Sequence, residues 1–237
     1  MGNRSLWQYD EFRQIGTDYG SLEEIRIYDQ RMQKIRDVRR EVQDILDKLA
    51  PKEDQTFLEM GTGTGELAIA AAERCSRVFA VDISAPMLKY AEQKAISRGL
   101  ENIEFVQGGF LTYQHQGPPL DFVASQLALH HLPDFWKQVG LLRLSKMLKE
   151  GGKFYLMDAV YSFQTENYQN FFQNLLTEMA KTNDGKPPRD VIRHIKEEHS
   201  TMNWILEGML ARAGFEINDI DYKNGFISTY LCTKIAP

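Results

Sequence analysis

Cysteine is scarce in this chain. Cys75 and Cys232 are the only two among 237 residues, too few for a disulfide framework, and their neighbours show no metal-ligand spacing. They read as small buried residues of a protein from a reducing compartment. Long hydrophobic runs are missing as well. Nowhere do about 18 apolar residues follow one another, so no membrane span is expected. The opening residues, MGNRSLWQYDEF, hold no apolar h-region, which argues against a signal peptide and for a cytoplasmic protein. An excess of positive charge is absent too. Lys and Arg number 28 against 33 Asp and Glu, a formal net charge of −5, which disfavours a nucleic-acid partner. The chain shows no internal repeat and no low-complexity tract.

What is present suits one large α/β domain. The hydrophobic share of 43% is that of a globular chain with a full core. Residues 1–50 read as an N-terminal helical arm or lid: an aromatic start, then apolar residues at helical spacing from Leu22 to Leu49, ended by Ala50-Pro51. Strands and helices then alternate. Strands are expected at Thr56–Met60, Arg77–Val81, Ile103–Gln107, Phe122–Ser125 and Lys153–Asp158. Helices are expected at Glu66–Arg74, from Ser84 to Arg98 with Ser84 as N-cap, and at Pro133–Leu148. Such alternation predicts right-handed βαβ units and a mostly parallel sheet with helices on both faces. A helical insertion, 163–214, interrupts the rhythm. Asn224-Gly225 between Phe215–Tyr222 and Phe226–Thr233 predicts a closing antiparallel hairpin.

The most informative stretch is LEMGTGTGELAIAAAERCSRVFAVD, Leu58 to Asp82. A strand, a glycine turn, a helix and an acid at the next strand's end is the nucleotide-binding βαβ plan. Gly61 allows a tight turn, Gly63 admits a ligand close to the backbone, and Asp82 lies where an acid reaches ribose hydroxyls. The spacing departs from the dinucleotide fingerprint, because Glu66 stands where a third glycine would be needed. An anion there would repel a pyrophosphate, and Glu59 adds another. The expected ligand is therefore neutral or partly cationic where a dinucleotide is anionic.

LEMGTGTGE, VFAVDIS, VQGGF and ASQLALHHL resemble, in order, the motifs of class I S-adenosylmethionine-dependent methyltransferases. The resemblance runs from about Phe57 to Asp158. It implies a Rossmann-like, mostly parallel seven-stranded sheet with a C-terminal antiparallel hairpin, and S-adenosyl-L-methionine as cofactor. By that resemblance Gly61 and Gly63 flank the methionine part and Glu59 sits near its amino group. Asp82 accepts from the ribose, and Ile83 and Met87 pack on the adenine. Gly109 and Phe110 meet the adenine edge, and Gln126 closes on the reacting sulfur. Tyr28, in a Tyr28-Asp29 pair, reads equally as a cover for the cofactor and as part of the apolar stripe. Where many members carry an acid at the third strand's end, this chain has Gly108-Gly109. The adenine amino group is then left to backbone, Gln107 or water.

Methyl transfer needs alignment and exclusion of water more than a fixed catalytic motif. His131 is a candidate base, or a tie between its loop and nearby backbone. With no carboxylate or cysteine partner at helical spacing, His130 and His131 do not form a metal-ligand pattern, so no metal is expected. The acceptor is expected to be a small molecule held under the arm and the insertion, with Tyr161, His199 and Trp204 facing it. Two other readings compete: a protein that holds the cofactor or its demethylated product without transferring methyl, and a nicotinamide oxidoreductase, which Glu66 disfavours.

Overall fold

A computed structural model of the chain describes residues 6–13, 25, 37–181 and 185–235. The first helix described along its whole length, α1 (Val38–Leu49), is capped by Asp37, whose side chain accepts from the Arg40 N–H, and stops at Ala50 in a left-handed conformation. It leads into β1 (Thr56–Met60), α2 (Glu66–Ala72), β2 (Arg77–Asp82), α3 (Ala85–Ser97), β3 (Ile103–Gln107) and β4 (Leu120–Gln126). After one 3-10 turn at Leu129–His131 come α4 (Asp134–Met147) and β5 (Leu148–Tyr161). The remainder is α5 (Tyr168–Lys181), α6 (Arg189–Glu197), β6 (Thr201–Met202), α7 (Asn203–Arg212), β7 (Phe215–Lys223) and β8 (Ile227–Lys234). Among the described residues no helix is long and apolar enough to cross a membrane.

Seven strands lie in the order β3-β2-β1-β4-β5-β8-β7, with β6 paired to β5 off that path. The strands from β3 to β5 run parallel, and β8 is antiparallel to both β5 and β7. This is the expected Rossmann-like sheet with its closing hairpin. Asn224 and Gly225 both take positive φ, 55° and 67°, in the three-residue connection between the paired Lys223 and Ile227.

Alternate residues along each central strand face opposite layers, so the sheet is buried on both sides. Leu58, Met60, Val81, Val123, Phe154 and Leu156 pack with Leu141 and Leu144 of α4 and with Leu206 and Leu210 of α7. Phe57, Val78, Ala80, Phe122, Ala124, Tyr155 and Met157 pack on the other side with Leu67, Ala68 and Ala71 of α2. Val42, Ile45, Leu46 and Leu49 of α1 join that second layer. The described part of the expected arm therefore divides. α1 is a core helix rather than a lid, because its apolar stripe is buried against α2.

Two further differences have clear causes. β5 begins at Leu148, not Lys153, since Leu148 pairs with Leu120 and the sheet absorbs Gly151-Gly152 at a register shift between Leu120 and Phe122. β6 was not expected at all. Its two residues extend the carboxyl end of β5 through Val160 and Tyr161. The order of strands reverses between β1 and β4, and open parallel sheets bind ligands beyond the strand ends at such a switch.

Candidate functional site

A cavity opens at that switch. Met60, Gly61 and Gly63 line it after β1; Asp82, Ile83, Ser84 and Met87 at the β2–α3 turn; Gly108, Gly109 and Phe110 after β3. Gln126, Leu127, Ala128, His131 and Leu132 follow β4, and Glu11 and Arg13 come from the N-terminal segment. Gly61, Gly63, Asp82, Ile83, Met87, Gly109, Phe110 and Gln126, expected from the sequence at a cofactor site, thus share one cavity. Tyr28 lies outside the described residues.

The strand ends explain the shape. Val81 O accepts from both Gly61 N (2.8 Å) and Thr62 N (2.9 Å), which turns the chain sharply after β1. Gly61 has φ +77°, and a Cβ there would overlap the Cβ of Ala128 in the loop after β4. Gly63 has φ +52° with nothing within 4 Å of an added Cβ, so its backbone borders open space. Asp82 ties three loops together. Its Oδ2 accepts from Gly63 N (2.7 Å), its Oδ1 from Ser84 N (2.8 Å), and its carbonyl from Gly108 N (2.9 Å). Burial raises the carboxyl pKa, opposed by the Ser84 and Gly63 bonds. Ser84 in turn caps α3, accepting from Met87 N at 3.3 Å.

The two acids used above to argue against a pyrophosphate act differently from expectation. Glu59 does not border the cavity. It is buried beneath the glycine turn, where Oε2 accepts from Thr62 Oγ1 (2.7 Å) and Ala68 N (2.9 Å), so it satisfies a free N–H in the first turn of α2. Burial pushes its pKa up to about 8, against those two hydrogen bonds. Glu66 is paired with Lys94 across to α3. Neither acid presents an open negative charge to the ligand. What disfavours a phosphate is that Gly63 N–H is already given to Asp82, and that Arg13 is the one cationic side chain among the lining residues. Open space over Gly63, a carboxylate at the end of β2 and apolar walls at Ile83, Met87 and Phe110 suit a phosphate-free nucleoside.

Glu11 was not foreseen. Its carboxylate is buried and accepts from Leu111 N (3.1 and 3.0 Å) and Thr112 Oγ1 (2.6 Å). A Cβ at Gly109 would come within 2.5 Å of Glu11 Oε2. The acid missing from the third strand's end is thus replaced in space by one from 100 residues earlier, and Gly108-Gly109 was the signal for it. Gln107 is occupied elsewhere, donating from Nε2 to Ile83 O at 3.0 Å. The same N-terminal segment is held by Trp7 and Tyr9, whose rings lie 6.3 and 6.2 Å from that of Trp136. The Tyr9 hydroxyl donates to His131 O at 3.3 Å.

Beside the cavity, beyond β4 and β5, lies a buried charged cluster. His130 Nδ1 meets Asp158 Oδ1, and His130 N donates to Asp158 Oδ2 at 3.0 Å. His130 Nε2 is 3.1 Å from Glu198 Oε2, which also meets His194 Nδ1. Burial would strip the proton from His130, but Asp158 and Glu198 outweigh it and raise its pKa to about 9. Burial likewise opposes ionisation of both acids, yet His130 holds the Asp158 and Glu198 carboxyls below the usual range. His131 borders the cavity. Burial, then the charge of His130, push its pKa down to about 3, too low for an efficient general base near neutrality.

The expected acceptor residues do not line the cavity. Tyr161 packs among Phe163, Phe172 and Phe226, with centroids 5.6–5.8 Å away. Trp204 is 66% exposed. His199 serves through its backbone: its N donates to His130 O (2.9 Å) and its carbonyl accepts from Lys137 Nζ. The pull of tertiary pairing on residues 198–202 decides these placements, and aromatic residue type alone could not reveal it.

A family model described as a methyltransferase domain matches residues 57–152. An uncharacterized methyltransferase of Geobacillus thermodenitrificans is 29% identical over 227 residues, 96% of this chain and 95% of the relative. One from Mycobacterium bovis is 32% identical over 57% of this chain and 64% of the relative. In sequence the chain is thus similar to methyltransferases over nearly its whole length. In fold it is similar to a SAM-dependent methyltransferase from Aquifex aeolicus, with a TM-score of 0.63 at 17% identity, covering 91% of this chain and 99% of that one. The methyltransferase-domain match and the methyltransferase relatives disfavour a nicotinamide oxidoreductase.

The buried Glu59 makes a pH test of its loop. Its folded pKa is raised to about 8, so its contribution is full below the unfolded value and is lost as pH rises through 8. Between pH 5 and 8 the ligand-free wild-type protein should lose more stability than Glu59→Gln, by on the order of 3 kcal/mol. Urea unfolding of both proteins across that range measures it. Equal pH slopes would place the Glu59 proton elsewhere.

Proposed function

We propose that this chain is a class I S-adenosylmethionine-dependent methyltransferase that works in the cytoplasm on a small-molecule acceptor, with Asp82 holding the cofactor's ribose hydroxyls and the acceptor lying beside Gln126 and His131. The observation that carries the proposal is the seating of the N-terminal segment against the cavity, through Glu11 on Leu111 and Thr112 and through Tyr9 on His131. A cavity partly covered by such a segment suits a compact acceptor better than a folded macromolecule. The negative net charge of −5 and the sequence SQLALHH after β4, which lacks the Pro-Pro-Tyr pattern of base amino methylation, point the same way.

The cofactor supplies a methyl carbon already activated by its sulfonium. The protein's tasks are then to bind, orient and exclude water. Gly61 and Gly63 leave the backbone bare for the methionine part. Asp82 offers charged acceptors to two hydroxyls, and its bonds to Gly63 and Ser84 hold it in place for them. Ile83, Met87 and Phe110 supply the apolar surfaces for adenine, and Glu11 stands behind Gly109 at its edge. Gln126 and the neutral ring of His131 orient the acceptor. His199 joins the segment after α6 to the acceptor side through its backbone bonds to His130 and Lys137.

Asp82→Ala should weaken binding of S-adenosylmethionine about 10- to 100-fold, the worth of charge-assisted hydrogen bonds. Titration calorimetry reads this, and an unchanged affinity would mean that the ribose lies elsewhere. For the acceptor, methyl-labelled cofactor is incubated with enzyme and a total cell extract. Label should enter the small-molecule fraction. Label confined to protein or nucleic acid would overturn the small-molecule reading.

A further inference from the structure

The cluster beyond β4 and β5 has a property that its ion pairs do not use. One ring nitrogen each of His130 and His131 and a carboxylate oxygen of Glu198 lie within 4.8 Å of one another. His130 Nε2 and Glu198 Oε2 are 3.1 Å apart, close to the separation of two ligands on one tetrahedral ion with bonds of about 2.0–2.2 Å. Among the described residues the His131 Nδ1 is buried with no hydrogen-bond partner, and a bound ion would satisfy such an atom.

The surroundings match the outer shell of a metal site. Asp158 accepts from both the backbone N–H and Nδ1 of His130, fixing the ring so that Nε2 faces Glu198. A carboxylate behind a histidine is the usual arrangement at such sites, setting its tautomer and raising its basicity as a ligand. Asp158 is itself held by Ala159 N at 2.7 Å. Glu198 is oriented by His194, which is braced by Ser200 Oγ at 2.7 Å from its Nε2. Two histidines and one carboxylate leave an ion open positions, and His131 borders the cavity.

We propose that His130, His131 and Glu198 bind one divalent transition-metal ion of the zinc type at the edge of the cavity. Imidazole and carboxylate together suit such ions. The site was hidden in the sequence because two adjacent histidines show no ligand spacing, and their carboxylate partner arrives 67 residues later. Binding here does not depend on which acceptor the enzyme methylates.

The test uses the full chain, stripped of metal by a chelator and titrated with Zn²⁺ and, for its visible spectrum, Co²⁺. One equivalent of each should bind, with a Co²⁺ spectrum of low-coordinate nitrogen and oxygen ligation. Glu198→Gln and His131→Ala should each weaken binding at least about 10-fold. His115→Asn, whose parent ring lies against Phe79, should bind as the wild type does. Because a cluster variant could loosen the fold, thermal unfolding is followed with and without Zn²⁺. The metal should raise the midpoint of the wild type and of His115→Asn more than that of either cluster variant. Binding well below one equivalent, or binding and midpoint shifts unchanged in both cluster variants, would overturn the proposal.

Discussion

Three parallel strands that end side by side leave three loops with unpaired backbone donors, and Asp82 satisfies one from each. Its carboxylate takes Gly63 N–H after β1 and Ser84 N–H before α3, and its carbonyl takes Gly108 N–H after β3. Remove the carboxylate and the Gly63 and Ser84 donors are orphaned, while Gly108 keeps its main-chain partner. The wall built from β4 is set by contact: Gly61 lies so close to Ala128 that no side chain could stand at position 61. The floor of the cavity therefore follows from one acid and one missing side chain. Glu59, buried below, ties the glycine turn to the first turn of α2.

The same acid connects stability to function. A carboxylate held by backbone donors is already oriented before ligand arrives, which lowers the ordering cost of binding. Its desolvation is tolerated because those donors replace water. The walls at Ile83, Met87 and Phe110 then need only be apolar, and the N-terminal segment closes the site through a few bonds from Glu11 and Tyr9.

Much of this was legible in the sequence. The strands Thr56–Met60 and Ile103–Gln107 were expected with the bounds they have, since turn residues close off each short run. Ser84 was read correctly as a cap because its signal is local. β6 was not legible: two residues carry no periodicity, and only docking against Val160 and Tyr161 makes them a strand. The amphipathic stripe of α1 was visible, but not the partner it packs against, so a core helix read as part of a lid. At the site, residues at strand ends could be placed because the topology fixes them. Glu11 and Glu198 could not, since each approaches from far along the chain. Glu59 and Glu66 turn less charge toward the ligand than their places in the sequence imply, since burial mutes the first and Lys94 neutralises the second.

The central claim is that the cofactor lies across the β1–β4 switch with its ribose on Asp82. The most direct measurement is a crystal structure of the enzyme with S-adenosylhomocysteine, the product left after methyl transfer. The account predicts both ribose hydroxyls within hydrogen-bond distance of the Asp82 carboxylate, the methionine part along Gly61–Gly63, and adenine between Met87 and Gly109-Phe110. A nucleoside bound with its ribose away from Asp82 would contradict it.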